Sequence, residues 1–525
     1  MTSVIGHVII IAMAFESEQK IGKYVYVYRA ESYWDKEKKQ SRQRRVYLGR
    51  RDPKTGQVVA TQKQRVARSF KDFGNVYLLN KVADQIGLTD CLREVFPDSW
   101  REIITCAFYE ISEGKPLYLC GPWLELTHVE AFPTGSLSSQ RISDLLRDIG
   151  EQSQSRMEFF RLWAKSSAET KWMFYDITSL STYSKTIDMA EWGYNRDKEK
   201  LPQINLGVVY AEPLSLPLFY EIHQGSIPDV SALKNTVEFA DHIGVKKVAF
   251  IMDRGFYSRR NLSQMEKMQF IIPYPISNKD AVELMDKHEQ DISSPANTFR
   301  VNKDILFAVK DKASIDKATY HAFIYLDEKK RVEESSRFYR RLIDAEESLR
   351  EINYGSKADM EQYLSDNFKD WRKYLRIVKR SNQLTTARKV AEIEKALERM
   401  GKLILLTNYR TTAQKTISLY RRKDAIEKYF DKMKNDLDVK RLRVHSRETM
   451  EGRLFMCFVS LILYSSIATK LAERHVYKDY TAREVIYELR KIKRVQLDRE
   501  RVMITEVSKK QRELFKHFQV DLPQT

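Results

Sequence analysis

The sequence predicts a multidomain α+β protein organised around an α/β core. Apolar strand-like runs alternate with amphipathic helices between about residues 170 and 275. Helical periodicity dominates the hundred residues before them. The 525 residues, 42% hydrophobic and 31% charged, carry enough apolar material to bury cores in two to four domains at ~150 residues each.

In chain order, residues 1–70 read as a basic, β-rich segment. Lys23–Tyr28 is rich in β-formers, and Arg45–Gly49 can pair with it as a hairpin across a charged link. Residues 1–12 are expected to be an added leader, with Met13 as an alternative start. Residues 71–168 read as helical, a DNA-binding or dimerisation domain. Leu78, Leu79, Val82 and Ile86 recur at helical spacing before Gly87. Ser138 or Ser139 caps a helix carrying Ile142, Leu145, Leu146 and Ile149, with Gly150 as its stop.

Residues 169–275 begin with Trp172–Tyr175, an apolar strand expected to end at Asp176. Strands at 203–210 and 218–223 follow. A helix then starts at Ser226, with Ser as its cap, and a strand at Lys247–Met252 ends at Asp253. A short helix and a strand at Phe270–Ile272 complete the set. Three strands, helix, strand, helix, strand fits a ribonuclease-H-like core best among α/β layouts. Residues 276–400 are too long for a loop and read as an inserted subdomain. Residues 401–470 return to the core, and residues 471–525 form a basic, helical C-terminal region. The run Leu454–Ala468 reads as a buried helix, and Val8–Phe15 is too short to span a membrane. The expected compartment is the cytoplasm, at the nucleoid, with no membrane partner.

The net charge of +18 is uneven. Residues 29–71 carry a net +10 and residues 401–525 a net +12, so the remainder is slightly acidic. Clustered Lys and Arg around a carboxylate-bearing middle fits a polyanion, with nucleic acid ahead of a membrane surface. Cys91, Cys106, Cys120 and Cys457 lie far apart, so neither a disulfide framework nor a cysteine zinc finger is legible.

The most informative stretch is the helix expected over 415–445. Ile426, Phe430, Met433 and Leu437 form an apolar stripe. Tyr420, Lys423, Glu427 and Lys434 form a polar stripe offset by one residue, about 100° around the helix. Asp176 and Asp253 each follow an apolar run, and ligand groups gather at the carboxyl ends of strands in open α/β sheets. Three carboxylates, Asp176, Asp253 and Glu427, without a nearby fixed cation require one. Two Mg²⁺ ions, or Mn²⁺ in their place, suit oxygen ligands and phosphodiester chemistry. Taken singly, each residue also has a plainer role. The aspartates can be turn or cap residues, Glu427 a partner of Arg422 or Lys423, and Lys434 a surface lysine.

Together these residues resemble bacterial insertion-sequence DDE transposases of the branch with a Tyr-x2-Arg-x3-Glu-x6-Lys signature. Tyr420, Lys423, Glu427 and Lys434 keep every spacing, with Lys423 where the pattern has Arg. Tyr175–Thr178, Met252–Phe256, Pro217-Leu-Phe with Gly225 and Asp229, and Leu405–Asn408 also match. The resemblance implies binding to terminal inverted repeats, metal-dependent cleavage at the element ends and strand transfer, as a homodimer on DNA. It implies Asp176, Asp253 and Glu427 as catalytic metal ligands. Tyr420, the Lys423 position and Lys434 would contact DNA, with Arg422 a substitute for the missing arginine fork. A ribonuclease-H-like nuclease of repair or defence, and a DNA-binding regulator derived from a transposase, are the alternatives.

Overall fold

The computed structural model describes residues 15–35, 38–59, 69–132, 136–166, 172–193, 199–212, 216–227, 229–243, 249–265, 268–352, 354–380, 383–423, 441–474, 476, 479–497 and 501–524. The chain divides into two compact units. One holds residues 1–69 with 495–503, the other residues 70–494 with 504–525.

The smaller unit contains an antiparallel sheet of β1 (Phe15–Ile21), β2 (Tyr24–Asp35), β3 (Gln40–Arg51) and β4 (Val58–Val59), in that order. Gly22, at φ +60, makes the tight connection from β1 to β2 that a side chain would resist. Alternating Tyr and Val in β2 suit a pleated, half-covered surface.

The larger unit opens with β5 (Ser69–Asp72) and six helices: α1 (Gly74–Gln85), α2 (Leu88–Val95), α3 (Trp100–Glu113), α4 (Cys120–Leu126), α5 (Ser139–Glu151) and α6 (Ser153–Ser166). The Ser138 hydroxyl caps α5 by accepting from the Arg141 N–H at 3.1 Å. Next come β6 (Trp172–Thr182), β7 (Gln203–Glu212), β8 (Leu216–Gln224), α7 (Asp229–His242), β9 (Ala249–Ile251), α8 (Arg259–Gln264) and β10 (Gln269–Pro273). The helix expected from Ser226 starts at Asp229 instead, because the Ser226 hydroxyl is bonded to the Glu191 carboxylate.

The 276–400 stretch divides in two. After α9 (Lys279–Lys287), strands β11 (Thr298–Val301), β12 (Asp304–Ile315) and β13 (Ala318–Leu326) join the main sheet. Then α10 (Glu328–Arg350), α11 (Lys357–Asn367), the hairpin β14 (Leu375–Arg380) and β15 (Gln383–Arg388), and α12 (Val390–Glu398) bury a core of their own around Leu342, Leu349, Met360 and Leu375. The chain returns through β16 (Lys402–Thr407), helix α13 (described over 413–423), β17 (Arg441–Leu442), α14 (Arg447–Glu473), α15 (Ala482–Leu489), β18 (Lys493–Gln496), β19 (Val502–Ile504) and α16 (Lys509–His517).

The main sheet is ordered β11-β12-β13-β16-β10-β9-β6-β7-β8, with β17 also beside β6. The pairs β6–β7 and β7–β8 are antiparallel, whereas β6–β9 and β9–β10 are parallel. The first three strands therefore form a meander, and the next two return by way of helices.

Helix α14 joins the sheet to the helical region. It is long and apolar enough to cross a membrane by length and composition, but 83% of its most apolar window is buried inside the protein. Phe455 packs on Phe96 and Phe159, and Phe458 packs on Phe160 of α6 and Tyr220 of β8. A helix covered on all sides is expected to be apolar all round. Its buried charge is compensated: the Arg453 guanidinium pairs with the Glu110 carboxylate of α3, which also accepts from the Ser460 hydroxyl at 2.6 Å.

Gly150 does not stop α5, which runs one residue further to Glu151. A Cβ on Gly150 would collide with the Glu448 carbonyl of α14, and one on Gly452 with the Leu146 carbonyl of α5. The two glycines let the helix backbones touch. Gly452→Ala should therefore destabilise the protein by about 1–3 kcal/mol, measured by urea unfolding.

The face of β8 beneath α7 holds a half-buried Glu221 and a buried His223, 4.0 Å apart. Burial pushes the Glu221 carboxyl up to about 7, opposed by a hydrogen bond from Thr236, and pushes His223 down to about 4. Folded Glu221 keeps a proton that the unfolded chain releases, so its contribution to stability falls as pH rises from about 4.5 to about 7. His223 works in the opposite sense, with stability rising from about pH 4 to 6.5. Glu221→Gln should stabilise the protein at pH 8 by up to ~3 kcal/mol and leave it nearly unchanged at pH 4.5, read from urea melts at the two pH values.

Candidate active site

Strand β6 does not end at Asp176, as the apolar run alone suggests. It continues to Thr182, because polar residues there pair along β7: Thr178 faces Leu206, Ser179 faces Asn205 and Ser181 faces Gln203. What ends is the parallel ladder on its other edge. Strand β9 pairs with β6 only from Trp172↔Ala249 to Phe174↔Ile251. Further along that edge, β17 pairs at Ser181 and Thr182. Between them, among the described residues, no strand pairs with residues 175–180 of β6 on that side, and we call this stretch the notch.

Asp176 and Asp253 both stand at the mouth of this notch. Each lies two residues beyond the last rung, Phe174↔Ile251, so the register carries them forward side by side. Adjacent strands lie ~4.8 Å apart, so the register brings the backbones leading to the two aspartates close together. Asp176 is buried, and its Oδ1 accepts from the Ile177 N–H at 3.0 Å. Asp253 is half-exposed, and its Oδ1 accepts from the Arg254 N–H at 2.7 Å, capping a 3₁₀ turn over Arg254–Phe256. The cap holds the carboxylate at the strand end.

Helix α13 brings a cation to this place. Lys423 is buried, and its Nζ lies 3.9 Å from Asp253 Oδ1. The expected carboxylate cluster without a nearby fixed cation is thus corrected, since Lys423 supplies one. Arg421 anchors the helix through Asp304 at 2.9 Å and Asp327 at 2.6 Å. Tyr420 is half-buried and lines a cavity of about 590 Å³ together with Arg421, Asp304 and Asp327. Arg422 is exposed, one residue around the helix from Lys423. Glu427, Lys434 and the apolar stripe Ile426, Phe430, Met433 and Leu437 lie outside the described residues.

Sequence reasoning missed Arg421, which no signal separates from its basic neighbours. It also left Asn408 unexplained. Its side chain accepts from the Phe270 N–H at 3.2 Å and donates to the Met268 carbonyl at 2.6 Å, tying the end of β16 to the start of β10. Tyr409 then packs its ring on Trp172 at the start of β6, 5.0 Å between centroids. This corner fixes where α13 begins relative to β6 and β10.

Hard carboxylate oxygens on neighbouring strands fit a divalent cation of the Mg²⁺ type. Among the described residues, the close polar contacts of Asp253 fall on Oδ1. Among the described residues, no group of three or more ligating side chains forms. Asp176 and Asp253 are therefore the described part of any such site.

No curated protein matches the sequence. Among solved structures, a piggyBac transposase synaptic complex with hairpin DNA is similar at a TM-score of 0.31 and 8% identity, over 79% of this chain and 70% of that one. That likeness is too distant to bear on function. The family model described as the transposase DDE domain matches residues 173–463, more than half of the chain. Its span begins at the second residue of β6 and ends within α14, so it takes in both aspartates and the whole sheet, and the chain belongs to the DDE transposase-domain family.

Proposed function

We propose that the protein is the transposase of a bacterial insertion sequence, cleaving DNA at the element's terminal inverted repeats and joining the freed 3′-hydroxyl to a target. The observation that carries this reading is the juxtaposition of Asp176 and Asp253 at the open notch of β6, within a chain of this family. The strand order supports a ribonuclease-H-like core: an antiparallel meander β8-β7-β6 followed by parallel β9 and β10. In this reading the 276–400 stretch is the inserted subdomain, partly absorbed into the sheet.

Asp176, Asp253 and Glu427 would hold two Mg²⁺ ions. When bound, such ions activate the attacking oxygen and stabilise charge on the leaving oxygen. The chain's own contributions are positional. The β6–β9 register sets the spacing of two carboxylates, and the Arg254 N–H fixes Asp253. Lys423 neutralises part of the charge that two adjacent carboxylates bring together. A lysine is a point charge without the bidentate fork of arginine, so its first role here is toward Asp253. Tyr420, Arg422 and Lys434 are the remaining candidates for DNA contact. A homodimer on paired ends, acting at the nucleoid, completes the proposal.

Asp176→Ala, Asp253→Ala and Glu427→Ala should each lower Mg²⁺- or Mn²⁺-dependent cleavage at least about hundredfold, by analogy with losses seen on disturbing metal sites. DNA binding in gel shifts should change little. Turnover retained in any one variant removes that residue from the set. Binding without turnover by the wild-type protein, in either metal, would instead favour a DNA-binding regulator, the role that a buried Lys423 against Asp253 also suits.

A further inference from the structure

The tip of the β2–β3 hairpin has no cover of its own. Strand β1 pairs with β2 only over Tyr24–Ala30, and β4 pairs with β3 only at Arg50 and Arg51. From Glu31↔Arg44 to Asp35↔Gln40 the two strands therefore pair only with each other. Five residues at ~3.4 Å make a ribbon of about 17 Å. Apart from half-buried Asp35, every described residue from Glu31 to Tyr47 is exposed, so both faces of the ribbon meet solvent. Trp34 is 62% exposed. A protein core would cover at least one face; among the described residues neither is covered.

The two faces differ in charge. Directly opposed residues share a face, so Ser32 and Trp34 stand with Gln43, Ser41 and Arg45. Among the described residues, that face has no carboxylate. Arg45 is held beside Gln43 by two hydrogen bonds to its Oε1, at 3.3 and 3.1 Å. The opposite face pairs Glu31 and Asp35 with Arg44 and Arg42, including an Arg42–Asp35 ion pair at 3.4 Å. Across β3 as a whole there are five arginines and no acid. Lys38 and Lys39 stand exposed at the turn.

We infer that this ribbon enters the major groove of duplex DNA, with the Trp34–Gln43–Arg45 face toward the base edges and the lysine turn and Arg42 and Arg44 beside the phosphates. The inference deepens the proposed function and rests on its DNA partner. The B-form major groove admits a two-stranded β-ribbon, and Arg and Gln are the side chains that read guanine and adenine there. The A-form major groove of RNA is too narrow for side chains to read, so duplex DNA is the partner.

The test uses the full-length chain and a library of random 30-base-pair DNA duplexes, with repeated selection and sequencing. Wild-type protein should enrich one sequence pattern. Arg45→Ala and Gln43→Ala should each flatten the preference at particular base pairs by about tenfold. Arg42→Ala with Arg44→Ala should weaken all sequences alike and lower the salt slope by about 2. These side chains are exposed, so unchanged thermal melts should accompany the shifts. The inference is overturned if the Gln43→Ala and Arg45→Ala variants select the wild-type pattern with wild-type affinity. It is equally overturned if wild type selects no pattern, or binds duplex RNA as tightly. Metal-dependent nicking of plasmid DNA, assayed alongside, separates the two readings. Nicking with unaltered selection sinks the ribbon alone, and altered selection without nicking sinks the enzyme reading alone.

Discussion

Three rungs of parallel pairing between β6 and β9 carry the candidate site. Asp176 and Asp253 are 77 residues apart in the chain, and nothing local brings them together. The pairing of Trp172, Met173 and Phe174 with Ala249, Phe250 and Ile251 does so, and then stops. Beyond the last rung, among the described residues, that edge of β6 meets no strand until β17 at Ser181, and both aspartates fall in this interval. The site is thus a property of sheet register, and a slip by one residue would turn either aspartate to the opposite face.

That register depends in turn on burial around the sheet. All eleven residues of β6 are buried, so the strand is covered on both faces. At the neighbouring edge of the sheet α14 presses Phe458 against Tyr220 of β8, and α14 is itself held to α5 by two glycines and to α3 by the Glu110–Arg453 pair. Buried ion pairs gain little net stability over apolar packing, but breaking one leaves a stranded charge. The Glu110–Arg453 contact therefore acts more as a specification of how α14 may lie than as a source of stability. The Arg156 guanidinium, bonded to the Ile149 and Gly150 carbonyls and to Glu451, fixes the same crossing from its other side. Helical region and sheet share one core for this reason.

The sequence showed Asp176 and Asp253 because each follows an apolar run, and the buried Leu454–Ala468 stretch because a nearly uncharged helix in a charged chain has nowhere else to go. The Ser138 cap was legible for the same local reason. Features set by distant pairing were not. The polar residues Thr178, Ser179, Ser181 and Thr182 lie beyond the strand end expected at Asp176, yet they extend β6, because Gln203 and Asn205 of β7 offer them polar partners. Strands β11–β13 read as part of a separate excursion, and six rungs between β13 and β16 draw them into the main sheet. Gly150 carried the signature of a helix stop, whereas its conformation is helical and its missing Cβ is what matters. In each case the deciding partner lies tens to hundreds of residues away.

Lys423 shows how a departure from a motif can be read physically. At the signature position an arginine would present a planar fork of five donors, suited to phosphate or to a carboxylate taken bidentately. The lysine here is buried, with its ammonium 3.9 Å from Asp253 Oδ1. An ammonium tolerates burial only with compensation, and a carboxylate beside a second carboxylate needs a cation. Each therefore meets the other's electrostatic need before any ligand arrives. Under the proposed function, a divalent cation at Asp253 would compete with Lys423, and the lysine's flexible stem would let its ammonium move toward a phosphate more readily than a guanidinium held in a fork.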